Sequence, residues 1–184
     1  MSVPPTLLSP GMAESLIARS AQVLSRLRQT EHKVVTAESC TGGLVAALLT
    51  HHTGSSDVTE GGFVTYSNAL KNAVLGVSFH TLSRFGAVSA ETVQEMVQGA
   101  LRLAHNATIA VSVSGIAGPS GGSAEKPVGL VWFGVALKGQ QPQAYSQVFT
   151  GNREAVRTQA AEYALALVLK NLPEQSSRIG LIRN

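Results

Sequence analysis

The chain has 184 residues, 44% of them hydrophobic, 14% charged and 5% aromatic, with a formal charge of +3. That length suits one domain over 1–184, and the composition is that of a compact globular chain, not a disordered one. No apolar run reaches the roughly 20 residues of a membrane span, the start MSVPPTLLSPGMAES lacks the basic and apolar stretches of a signal peptide, and one cysteine leaves no internal disulfide; a cytoplasmic location without a membrane partner is expected.

The predicted elements run as follows. An arm over 1–10 precedes a helix from Pro10 to about Arg28, where Leu16, Ile17, Val23, Leu24 and Leu27 recur at helical spacing after a Ser9-Pro10 start signal. A short strand at Lys33–Glu38 leads into a buried helix over Gly42–Thr50. Gly61–Ser67 mixes aromatic and β-branched residues as strands do, and Asn68–Gly76 reads as a short helix closed by glycine. Ser89 is a good N-cap for a helix with Val93, Met96, Val97, Ala100, Leu101 and Ala104 on one face. Thr108–Ser114 alternates large and small side chains as a strand, and the Gly/Pro-rich GIAGPSGGSAEKPVG forms a long loop. Strands at Leu130–Leu137 and Gln143–Thr150, separated by KGQQP, are expected to pair antiparallel. A final helix spans about Arg153–Leu172, before a tail over 173–184. Helix and strand alternate, which predicts an α/β fold: a three-layer α/β/α sandwich around a mixed, mostly parallel sheet of about five strands.

Ligands of such sheets gather where strands give way to loops. Three segments qualify: TAESCTGG, YSNALK and the GIAGPSGG loop. Ser39, after a strand and before a helix, suits a nucleophile and an N-cap equally. Thr41 could cap the same helix, and Gly42 and Gly43 would let a ligand approach backbone N–H groups there. Cys40 lacks a nearby histidine base and reads as a buried small side chain. Lys71, four residues after Ser67 and five after Tyr66, is either a solvated surface lysine or a desolvated general base. Arg153 and Arg157 share a face in the first turns of the last helix. Cations there oppose the helix dipole, so they either bind an anion or pair with Glu154 or water.

Other chemistries find little support. A sequence pI of about 9.3 raises nucleic acid as a partner, but the basic residues are scattered and aromatics are few, so nucleic acid is not expected. Asp57 is the single aspartate, which speaks against Asp-rich Mg²⁺ sites and kinase-like transfer. The five histidines show no HxxxH spacing, and no metal site is expected. Neither GK[ST] nor GxGxxG marks the Gly118–Gly122 loop as a phosphate cradle.

In order, TAESCTGG, GGFVTYSNALK, GAVS, SVSGIAGPSGG with EKPVG, and GNREAVR closely resemble the CinA C-terminal domain family over roughly Ala13 to Leu172. Its stand-alone members include nicotinamide mononucleotide deamidases, and related domains occur fused to a molybdopterin-binding-like module. The resemblance implies metal-independent hydrolysis of nicotinamide mononucleotide to nicotinate mononucleotide and ammonia, without a cofactor, in pyridine nucleotide salvage. It places the nucleophile on Ser39 and a lysine and tyrosine on Lys71 and Tyr66, with Lys71 taking the proton directly or through Tyr66. On this reading Thr41, Gly42 and Gly43 floor the pocket and supply oxyanion N–H groups. Glu38 fixes the loop or positions Lys71. Arg153 or Arg157 binds the phosphate, helped by Ser112, Ser114, Gly115 and Gly118. The alternative is a non-catalytic nucleotide- or partner-binding domain linked to competence or DNA-related functions. The apolar, weakly charged composition makes a homodimer or higher homo-oligomer the expected assembly.

Overall fold

The computed structural model describes residues 10–174, so most of the expected arm and tail lies outside the described residues. The elements are α1 (Pro10–Gln29), β1 (Val34–Glu38), α2 (Leu44–Thr50), a 3-10 turn at Ser55–Asp57, β2 (Thr59–Val64), α3 (Asn68–Leu75), α4 (Phe79–Phe85), α5 (Ala90–Leu103), β3 (Ile109–Gly115), β4 (Leu130–Leu137), β5 (Gln143–Val148) and α6 (Arg153–Asn171). One five-stranded sheet has the order β2-β1-β3-β4-β5. β1 pairs parallel with β2 and β3, while β4 pairs antiparallel with β3 and β5. Four strands therefore point one way and β4 is reversed. The reversal follows from the 116–129 connection, which contains no crossover helix and returns the chain beside β3.

Helices cover both faces, as the alternating pattern requires. On one side α1, α2 and α6 bury Leu16, Leu27, Leu49 and Leu165 against Val34, Ile109, Val111, Phe133 and Val135. On the other, α3, α4 and α5 bury Leu75, Leu82, Met96 and Val97 against Val35, Ala37, Ala110 and Ala136. The second face is built from small residues. A Cβ on Gly134 would lie 2.4 Å from the Val93 carbonyl oxygen, and one on Gly99 would lie 2.0 Å from that of Leu75. These glycines let α5 approach the sheet on one side and α3 on the other.

Among the differences from the sequence reading, three concern α2, β2 and α4. α2 begins at Leu44, not Gly42, because Gly42 and Gly43 have φ of +62° and +93°, outside the helical region. β2 covers Thr59–Val64 because its register, Val34↔Thr59 to Glu38↔Val64, ends where β1 ends. α4 was not expected: Ser78 caps it through Thr81 N–H, but Phe79 is exposed and its buried residues are Thr81 and Leu82, too few to leave an apolar period.

Candidate active site

Strand period sets the site. Along β1, Val34 faces the α1/α2/α6 core and Val35 and Ala37 face the α3/α5 core, so Ser39 continues the second set. There α3 presents Lys71. Its Nζ donates to Ser39 Oγ at 2.9 Å, to the Thr65 carbonyl at 2.9 Å and to the Tyr66 carbonyl at 3.3 Å. Lys71 is 1% exposed and takes part in none of the ion pairs among the described residues. Burial pushes its amine down to about 8, with the Cys40 thiol weakly opposing. The surface reading of Lys71 is thereby excluded. Ser67, its neighbour at i−4, caps α3 instead by accepting from Leu70 N–H at 3.1 Å.

The Ser39 turn is held from both sides. Buried Glu38 accepts from Thr36 Oγ1 (3.1 Å) and from the N–H groups of Gly43 (3.0 Å), Val45 (3.1 Å) and Ala46 (2.8 Å). It thus fixes the loop and does not touch Lys71, because its carboxylate points to the α2 side of the sheet. Ser39 is not the cap of α2 in the sense the sequence allowed, since the helix start takes its acceptor from Glu38. Gly42 N–H bonds the Ser39 carbonyl at 3.0 Å. Both glycine amides are therefore occupied, and the expectation that Gly42 and Gly43 supply oxyanion donors is corrected on that ground. Arg157 donates from Nε to the Cys40 carbonyl (3.1 Å) and from Nη2 to the Thr41 carbonyl (3.0 Å). Cys40 is 5% exposed, and burial pushes its thiol up to about 12, so it packs as expected and carries no thiolate.

A cleft opens at the carboxyl ends of β1, β2 and β3, lined by Ser39, Cys40, Tyr66, Asn68, Lys71, Ala87, Val88, Ser114, Gly115, Ala117 and Arg153. Arg153 reaches over it, donating to the Gly118 carbonyl at 2.9 Å and to the Tyr66 hydroxyl at 3.0 Å. Tyr66 meets Lys71 through its carbonyl and not its phenol, which removes it as a proton relay between Lys71 and Ser39. Ser114 lines the cleft while donating to the Ala87 carbonyl at 2.7 Å. Ser112 does not reach it: its hydroxyl donates to the Val93 carbonyl (2.7 Å) and accepts from Gly134 N–H (3.2 Å), which ties α5 to the sheet. Gly118 takes part through its carbonyl, under Arg153. Thr41 and Arg157 contribute no side chain to that lining, and Gly42 and Gly43 lie outside it. Sequence reasoning missed Asn68, Ala87, Val88 and Ala117 as lining residues, although YSNALK, GAVS and GIAGPSGG contain them. Lys126, also missed, donates to the Phe85 (2.6 Å) and Val88 (2.9 Å) carbonyls and so ties the Gly/Pro-rich loop to the opposite cleft wall. Among the described residues no group of three His, Cys, Asp or Glu side chains could hold a metal.

Sheet and cleft together define an α/β protein in which a serine and a buried lysine meet at the carboxyl ends of parallel strands. The chain belongs to the CinA C-terminal domain family, which matches residues 17–172. It is 53% identical over 151 residues to the nicotinamide-nucleotide amidohydrolase PncC of Enterobacter agglomerans, covering 82% of this chain and 92% of that one. It is 51% identical over 150 residues to the protein of the same name from Escherichia coli K12, covering 82% and 90%. Among solved structures, the competence/damage inducible protein CihA from Agrobacterium tumefaciens superposes with a TM-score of 0.81 at 38% identity, over 92% of this chain and 98% of that one.

Proposed function

We propose that this protein is an amidohydrolase that converts nicotinamide mononucleotide to nicotinate mononucleotide and ammonia, with Ser39 as nucleophile and Lys71 as its base. The observation that carries the reading is the buried Lys71 amine, 2.9 Å from Ser39 Oγ and in none of the ion pairs among the described residues. In its neutral form that amine takes the Ser39 proton as Oγ attacks the carboxamide carbon. The resulting ammonium returns the proton to the departing nitrogen, and ammonia leaves an acyl ester on Ser39. Water, deprotonated by the same amine, then attacks the ester carbonyl, and the ammonium returns that proton to Ser39 Oγ as the acyl–oxygen bond breaks, which frees the acid and restores both residues. The amidohydrolase relatives, nicotinamide-nucleotide enzymes by name, support the substrate.

Arg153 is the cation we assign to the 5′-phosphate, because it overhangs the cleft while Arg157 is turned to the back of the nucleophile turn. Ammonia release from nicotinamide mononucleotide by the purified protein tests the whole reading. Wild type should turn over, Ser39→Ala should lose at least about a thousandfold, and Arg153→Ala should raise KM for the mononucleotide far more than for the riboside. Binding without turnover in wild type would favour the non-catalytic alternative, and an active Ser39→Ala would remove the nucleophile.

A further inference from the structure

Arg157 spends its charge on two carbonyl oxygens of the nucleophile turn, and that choice has a geometric consequence one atom further on. Across a trans peptide the C=O and the following N–H point in opposite directions. A guanidinium that captures the Cys40 carbonyl therefore fixes where Thr41 N–H points, and one that captures the Thr41 carbonyl fixes Gly42 N–H. Gly42 N–H turns back to the Ser39 carbonyl. Thr41 N–H has no hydrogen-bond partner among the described residues. Arg157 comes from α6, on the α1/α2/α6 side of the sheet, so Thr41 N–H is turned away from that side, in the turn whose Ser39 and Cys40 line the cleft. Thr41 is fully buried. A buried amide left without an acceptor is costly, and a ligand oxygen placed there would relieve it.

We infer that Arg157 is a positioning residue acting through the Cys40–Thr41 peptide: it aims Thr41 N–H at the oxygen that turns negative when Ser39 attacks, and strengthens that N–H as a donor. The inference rests on Ser39 being the nucleophile. No proton moves to or from Arg157. Its positive charge, bonded to the carbonyl end of the peptide, polarises the group so that the amide end is more positive, and this acts between Cys40 and Thr41, both buried. Arginine suits the task better than lysine because its planar fork holds two adjacent carbonyls at once. The same bonds explain why a cation is tolerated near the positive end of the α6 dipole: two carbonyl dipoles take up its charge.

A pair of substrates tests this: nicotinamide mononucleotide and its thioamide counterpart, whose sulfur is a weak acceptor of N–H hydrogen bonds. The readout is the ratio of kcat/KM for amide over thioamide, measured on one preparation so that any loss of folded protein cancels. In Arg157→Lys and Arg157→Met that ratio should fall about tenfold from wild type, a fraction of what losing a whole oxyanion donor costs, while the pH midpoint set by Lys71 stays in place. Equal losses on both substrates, leaving the ratio unchanged, would mean that Arg157 only stiffens the fold or holds phosphate, and would overturn the inference. Ser39→Ala run in parallel separates the two levels. Activity surviving there brings down the nucleophile itself, whereas an inactive Ser39→Ala with an unchanged ratio in the Arg157 variants brings down the positioning role.

Discussion

Lys71 holds its amine buried, donating to the Ser39 hydroxyl and to two carbonyl oxygens and pairing with no carboxylate among the described residues, and its pH behaviour follows. With the amine at about 8, roughly a tenth of it is neutral at pH 7 and most of it above pH 9. If the neutral form is the base, kcat/KM should climb about tenfold per pH unit below 8 and level off above it. Lys71→Arg keeps the charge but cannot shed its proton in this range, so its activity should drop at least about a thousandfold. A wild-type profile flat from pH 6 to 9, or an arginine variant with the same limb, would send the proton elsewhere. Cys40, with its thiol near 12, adds nothing to this profile.

At the scale of elements, α5 is the part whose placement leaves least room. Gly99 sits inside the helix, where alanine is intrinsically better by about 1 kcal/mol. A Cβ there would nevertheless lie 2.0 Å from the Leu75 carbonyl at the end of α3. Gly99→Ala should therefore destabilise the protein by about 1–3 kcal/mol, against its helix propensity, and should lower activity as well because α3 carries Lys71. Urea denaturation checks the first part, and a stabilised variant would show that α3 yields freely. Such packing was hidden in the sequence, whereas β4 was readable to the residue because Leu130–Leu137 is a nearly unbroken apolar run after Gly129. α5 was equally plain from its one-sided apolar spacing and Ser89 cap. α4 was not, since it buries almost nothing. In the site, the motifs pointed to Ser39 and Lys71, but the nearest serine in sequence to Lys71 is Ser67, and no local pattern says that Lys71 crosses to β1. Arg153 and Arg157 looked interchangeable at i and i+4. One helical turn separates an arginine over the cleft from one behind the nucleophile, and only the packing of α6 decides which is which.

For the molecule as a whole, the site is a standing cost to stability that pH should reveal. Lys71 is near 8 in the folded protein and has an ordinary value of 10.5. Below about pH 8 folded and unfolded chains are both protonated there, and the folded state bears the full penalty of a buried charge. Between pH 8 and 10.5 the unfolded chain keeps the proton while the folded one sheds it, so the penalty is relieved as pH rises, by about 3 kcal/mol in total. Lys71→Met has no such group. Its stability relative to wild type should thus be highest near pH 7 and decline towards pH 10, measured by urea unfolding at each pH; a constant difference would mean that the amine is not depressed by burial. The two arginines bring a different consequence, one of timing. Both lie on α6, the last of the described elements, while Ser39 and Lys71 belong to the first half of the chain. Synthesis runs from the N-terminus, so nucleophile and base exist before the helix that orients the Cys40–Thr41 peptide. With Arg157 aiming that peptide, a nascent chain passes through a zymogen-like stage, its serine made but not yet competent, and the docking of α6 does for it what proteolysis does for a secreted hydrolase. Ammonia release from ribosome-bound chains stalled before Arg153 would show this as silence until α6 is made.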